Sequence, residues 1–194
     1  MVKDQSIIDH FERFLGPIQE SWQLMQDGEK CPFQVVRCTG RVENTSIFCT
    51  LGLGNHSFKE TLDLTGQPVR HELLIAIPES FGTGTIPALV QQLGVISLER
   101  HKAFLRGEVI GGSHFVFSGL QFRGFYASTP SFVEGDDFDI YVRQDGQPVV
   151  MIWMIPVYER EIEFIRTQGW NRFEDLIIMK NLDPVELLRK EAVD

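Results

Sequence analysis

Few side chains in this 194-residue chain have the types and spacing that chemistry requires: three cysteines, five histidines and scattered carboxylates. Cys31, Cys38 and Cys49 are odd in number and show no Cys-x-x-Cys spacing, as expected of reduced thiols on or near strands. Cys49 and His71 fall on predicted strands that could bring them together, and a thiol beside an imidazole is what a cysteine-dependent hydrolase needs. That chemistry also demands an electropositive, partly exposed setting, and the competing reading is a buried structural cysteine. His10, His56, His71, His101 and His114 are scattered without ligand spacing. His71-Glu72 opens like a zinc-peptidase helix, but Ile75 stands where the second histidine belongs. Gly52-Leu53-Gly54 lacks the third glycine of a dinucleotide loop, Ser57 taking its place. In Gly111-Gly112-Ser113-His114-Phe115, Phe115 replaces the last glycine of a nucleophile elbow, and no Walker-type Gly-Lys-Ser occurs. No cofactor and no metal are expected, and the chain reads as non-enzymatic.

The carboxylates divide into two kinds. Glu134, Asp136, Asp137 and Asp139 crowd a loop but lack the order of a calcium-binding loop, so they read as a solvated acidic surface available to a partner. Glu72 and Glu161 are different, because each is flanked by residues expected to be buried. On a helical wheel Glu161 falls beside the stripe of Tyr158, Ile162 and Ile165. A desolvated acid at such a place is either functional or a hydrogen-bond acceptor at the helix start. Neither acid has a second carboxylate placed near it, so no acid–base pair forms. Phe115, Phe117, Phe122, Phe125, Tyr126 and Phe132 concentrate in one region beside the acidic loop. Most of them suit a core, and Tyr126 and Phe132 are chosen as partner contacts beside the acids.

The elements that position these groups follow from periodicity. Val149 to Ile155 is an uninterrupted apolar run, as expected of a strand covered on both faces in mid-sheet. Pro156 is expected to end it, with an amphipathic helix following from Tyr158. His71 to Pro78 is a second such strand, and 33–38 and 46–51 are two more, joined by a turn at Gly40–Asn44. Ser6 to Asp9 caps a first helix with Ile7, Ile8, Phe11, Phe14 and Leu15 on one stripe, and 17–32 reads as an irregular lead-in. Ile86 to Leu93 has helical spacing, with a second short helix over 97–105 and a glycine-punctuated loop over 107–119. A strand over 122–127 follows. Phe138 to Arg143 alternates, with Asp139 on its wet face, and 144–147 turns into the central strand. Asn171–Glu174 and Asp183–Glu186 resemble capping boxes of closing helices. The expected fold class is α+β, a single domain over 1–194 with a mixed, mainly antiparallel sheet and helices packed on it.

Charge narrows the partners. A net charge of −9 argues against nucleic acid, whose phosphates would be repelled, and suits fast steering toward a basic protein. No apolar run approaches the ~20 residues of a membrane helix. Lys3 and Asp4 precede the first apolar stretch, unlike a secretory leader, so a cytoplasmic location is expected.

The order of these strings resembles the Suppressor of fused domain. The resemblance rests on Glu72 to Pro78, the helix from Ile86 to Leu93, Gly107 to His114, Val149 to Glu161, and Gly169 to Leu176. It covers the chain from about Cys31 to the end. It implies an α+β fold that binds proteins rather than catalysing a reaction. In animal members that fold clasps an extended peptide of a zinc-finger transcription factor, which in physical terms is strand addition. Stand-alone bacterial members are proposed to be immunity proteins that neutralise toxins, and the length here fits that type. The sequence departs at Ala127-Ser128-Thr129-Pro130, where animal members carry an Asp-Pro pair, so no peptide-contacting residue is carried over. The expected function is immunity-type binding of a toxin. The alternatives are an adaptor for an extended peptide at a sheet edge, and a hydrolase using Cys49 or Glu161 with a histidine.

Overall fold

A computed structural model describes residues 6–25, 28–63, 66–111, 116–135 and 137–193 of the chain. Two strands, β6 (His71–Pro78) and β10 (Pro148–Val157), run parallel at its centre, with Val150 opposite His71 and Trp153 opposite Leu74. Both are buried on two faces, as continuous apolar runs require. Residues alternate between the faces. Leu73, Ile75, Ile77, Ile152 and Met154 point into one apolar cluster; Leu74, Ala76, Met151, Trp153 and Ile155 point into the other.

Outward from β6 come β3 (Thr45–Leu51), β2 (Lys30–Cys38) and β1 (Ile18–Leu24), each antiparallel to its neighbour. On the far side of β10 lie β8 (Gly124–Ser128) and then β7 (Val109–Gly111), also antiparallel. The short β9 (Ile140–Val142) pairs with the first residues of β10, and a turn closed by the Arg143 amide on the Gln147 carbonyl joins the two. A separate hairpin, β4 (Phe58–Leu62) with β5 (Pro68–Val69), presses Phe58 onto His71. The sheet is therefore mixed and mainly antiparallel. Helix α2 (Ile86–Arg100) covers one face; α1 (Ile7–Leu15), α3 (Glu159–Gln168) and α4 (Trp170–Met179) cover the other.

Several boundaries differ from the sequence expectation for identifiable reasons. Residues 18–24, expected to be irregular, form the edge strand β1. Its polar composition hides it, and the β2 ladder supplies its order. Within it Leu24 is 65% exposed. Pro156 does not end β10. Its carbonyl accepts a bond from Arg189 on the side where the β6 ladder has stopped, so the missing N–H leaves no ladder acceptor unpaired. Helix α2 runs unbroken from Ile86 to Arg100, and His101, in a left-handed conformation with φ of 53°, ends it before the expected second helix can form. Part of the expected loop at 107–119 is strand β7; Gly112 to Phe115, with His114, lie outside the described residues. Asp183–Glu186 caps no helix: the Asp183 carboxylate accepts the Val185 amide in a turn. Helix α4 starts at Trp170, so Glu174 stands inside it rather than in a cap. The first helix is capped as expected, Ser6 and Asp9 bonding reciprocally, although Ile8 is half-exposed.

The doubly buried centre yields a test. Leu74→Ala should cost roughly 2–5 kcal/mol, whereas Ile178→Ser, on an exposed helix end, should change stability by less than about 0.5 kcal/mol. Urea denaturation of both variants checks the contrast.

Candidate functional site

The two glutamates singled out by their flanking sequence are both buried, and the structure treats them in opposite ways. Glu161, in the first turn of α3, meets the Arg189 guanidinium through both oxygens at 2.7 Å. It also accepts the amides of Tyr158 and Ala192. Arg189 in turn lies against the rings of Phe122 and Tyr158 and donates to the Pro156 carbonyl. The Tyr158 hydroxyl donates to the Arg189 carbonyl. Glu161 is thus a compensated charge that fastens the C-terminal segment to the end of β10. No histidine ring is recorded against it, so the hydrolase pairing proposed for it is not assembled among the described residues.

Glu72 sits on β6, 1% exposed, on the floor of a cleft of about 720 Å³. Its walls come from the start of α1 (Ile7, Ile8), from β1 and β2 (Gln23, Gln34), from β9 (Tyr141) and from the β9–β10 turn (Arg143). One carboxylate oxygen accepts the amides of Gly52 and Gly54, each at 3.0 Å; the other accepts the Thr50 hydroxyl at 2.5 Å. The Gly-x-Gly string therefore wraps an anion, but the anion is this chain's own carboxylate rather than a phosphate. Gly52 has φ of 102°, and a Cβ on Gly54 would lie 2.7 Å from Val149, so both positions need glycine. The guanidinium groups of Arg70 and Arg143 bond to the carbonyls of Gly54 and Asn55 and to the Asn55 side chain, not to Glu72. Among the described residues no cation pairs with it. Burial consequently pushes the Glu72 carboxyl up to about 7, against the opposing hydrogen bonds.

The proposed thiol–imidazole pair is not assembled. Cys49 belongs to the cluster on the α1, α3 and α4 face, while His71 lies between the rings of Phe58 and Phe104 on the α2 face. Burial raises the Cys49 thiol well above its ordinary value, with Cys38 beside it, and lowers His71 to about 3. Neither ring nitrogen of His71 has a partner in hydrogen-bonding geometry; the Phe104 backbone opposes the shift only in part. A thiol without its proton acceptor, on the opposite face of a sheet, is a core side chain.

Of the residues chosen as partner contacts, Tyr126 is fully buried, its ring edge-on to Phe173 and its hydroxyl donating to Glu174 at 2.6 Å. It cannot offer contact area as placed. Phe132 is half-buried against Trp153, Glu134 and Asp137 are exposed, Asp139 is half-buried, and Asp136 lies outside the described residues. The alternating strand is reversed relative to expectation: Ile140 and Val142 of β9 are 53% and 60% exposed. Sequence reasoning missed Glu174, which joins Arg106, Tyr126 and Ser128. Burial raises its pKa, but the Arg106 guanidinium and the two hydroxyls together hold it below the ordinary carboxylate range. No motif marks a carboxylate whose partners are 46 to 68 residues away.

The family model of Suppressor of fused protein (SUFU) matches residues 29–190. A protein from Neisseria gonorrhoeae FA 1090, described as a suppressor of fused homologue, superposes with a TM-score of 0.75 at 19% identity, over 98% of this chain and 97% of that one. A chain of the Sufu–Fu complex gives 0.69 at 13% identity, over 96% and 90%. Drosophila Suppressor of Fused also gives 0.69 at 13%, over 96% of this chain and 50% of that one. These identities show a shared fold. No curated protein matches the sequence.

The two glutamates predict opposite responses. Arg189→Met strands the Glu161 carboxylate in the core and should cost roughly 3–5 kcal/mol in urea denaturation. For Glu72 the folded-state value of about 7 exceeds the ordinary 4.5, so the folded chain holds the proton more tightly. Its contribution to stability is complete below pH 4.5 and is lost as pH rises toward about 7. Between pH 5 and 8 the wild type should therefore lose roughly 2–3 kcal/mol relative to Glu72→Gln, measured as the difference between paired denaturation curves.

Proposed function

Because the chain belongs to the Suppressor of fused family, we propose that it is a non-enzymatic, single-domain protein-binding module, an immunity-type protein that masks a basic toxin domain in the cytoplasm. The observation that carries the proposal, beside family membership, is the surface at β9. The exposed acids Glu134 and Asp137 precede a strand whose apolar side chains Ile140 and Val142 face solvent. Asp139 and, by sequence, Asp136 extend the same charge. Acids at the rim accelerate encounter with a basic partner; the apolar residues and the open part of Phe132 supply area that desolvates on contact. Many toxin domains act on nucleic acid and are therefore basic, and a chain of net charge −9 meets them with favourable long-range attraction. The buried thiols Cys31, Cys38 and Cys49, none in a disulfide, fit a reducing compartment. No described helix is long and apolar enough to cross a membrane.

A second reading is favoured by one feature of the sheet. Among the described residues β9 is a short strand whose only ladder is with β10, a place at the sheet margin where an extended peptide would add, and the structural neighbour solved with Fu is itself held in a protein complex. An adaptor of that kind would accept several unrelated peptides, whereas an immunity protein answers to one dedicated partner.

Co-expression with a toxin encoded beside this gene should restore growth. The triple reversal Glu134→Lys, Asp137→Lys and Asp139→Lys should slow association by roughly tenfold or more at low ionic strength, with a smaller change in dissociation. Growth arrest that persists with the wild-type chain, together with no detectable complex, would sink the immunity reading.

A further inference from the structure

Glu72 and Glu161 are both carboxylates with almost no exposed surface, yet only one has a counter-ion. Glu161 is neutralised within the fold by Arg189. Glu72 receives only neutral donors, the Thr50 hydroxyl and backbone amides of the 52–54 turn, and among the described residues no ion pair. If its task were only to hold the 52–55 turn, a glutamine would do so without the cost of burying a charge. Its oxygen can accept both amides, and its NH₂ can donate to Thr50. The charge has a use only if a cation arrives from outside. Glu72 keeps only 1% of its surface exposed, but it is among the residues lining the 720 Å³ cleft, which gives a cation from solvent its approach.

We propose that this cleft is a receptor for a basic side chain, lysine or arginine, of a bound polypeptide, with the Glu72 carboxylate as its counter-ion. The walls suit such a group: Gln23, Gln34 and Tyr141 are polar or amphipathic, and Ile7, Ile8 and Val149 can pack the methylene stem. The ionisable groups around Glu72 leave this role open. Cys49, on the adjacent strand, keeps its proton because burial raises its value. Arg143 at the mouth is paired with Asp145, whose carboxyl is held low by the Gln147 amide and, against slight burial, by Arg143. Arg70 binds the Gly54 and Asn55 carbonyls. The occupant is taken to be a polypeptide because of the protein-binding reading above, on which that part rests. The cation site itself rests on Glu72 alone.

The test is calorimetric titration of the full chain with the blocked tripeptides Ac-Ala-Arg-Ala-NH₂ and Ac-Ala-Lys-Ala-NH₂, the neutral analogue Ac-Ala-citrulline-Ala-NH₂, and agmatine. A basic tripeptide should bind at least roughly tenfold more tightly than the citrulline analogue, and Glu72→Gln should abolish the difference while the variant melts as a folded protein. Near pH 7 Glu72 is part-protonated, so binding should also release protons, seen as heats that differ between buffers of unlike ionisation enthalpy. That measurement decides the matter even if Glu72→Gln does not fold. Equal affinity for the arginine and citrulline peptides, binding undiminished in a folded Glu72→Gln, or no proton release would each overturn the proposal. Agmatine binding as tightly as the tripeptides would assign the site to a free small cation and overturn the polypeptide assignment. A toxin masked equally well by wild type and Glu72→Gln would leave the immunity reading intact while this inference fell.

Discussion

The register of β6 against β10 is the constraint on which everything else in the fold depends. The two strands are parallel and far apart in sequence, so the whole of α2, β7, β8 and β9 must be threaded between them. Because side chains alternate, a one-residue slip would exchange the contents of the two faces. Leu73, Ile75 and Ile77 would leave the α2 cluster, and Glu72 would be turned from its cleft toward Phe104 and the α2 core. The apolar complement of both faces therefore fixes one register, and that register places Glu72, a buried carboxylate with no ion pair among the described residues, along the lining of the cleft.

The contrast between Glu72 and Glu161 is a contrast between closing and opening. At Glu161 the fold gathers a bidentate arginine, two amides and two aromatic rings, and the result is a sealed lock on the C-terminal segment. At Glu72 it gathers backbone amides and a hydroxyl, and the nearby arginines are turned to carbonyls. Electrostatically the first site is complete and the second is not. In the proposed function the acids Glu134, Asp137 and Asp139 work differently again, through long-range attraction rather than desolvated contact.

Much of the scaffold was legible in local pattern. The central strands, the capped first helix and the helix after Tyr158 have apolar periodicities that burial alone enforces, and their chain order was enough to suggest the family. What failed was local pattern at edges. Strand β1 is polar because little covers it, and Ile140 and Val142 alternate like buried residues while facing solvent. Pro156 looked like a terminator because the sequence cannot say on which side of a strand a missing N–H falls.

By itself, then, the sequence determined the main buried runs, the acidic balance and the absence of familiar catalytic motifs, since each follows from composition or from spacing along the chain, while the mixed sheet was what the family resemblance implied. It could mark Glu72 and Glu161 as unusual acids and no more. Only the tertiary structure decided that one is neutralised and the other not, that Cys49 and His71 lie on opposite faces, and that Tyr126 is enclosed. The reason is physical: apart from the Tyr158 amide at the helix start, the partners that set the fate of these buried charges lie 18 to 31 residues away, and no local period encodes which distant donors the fold will bring within 3 Å.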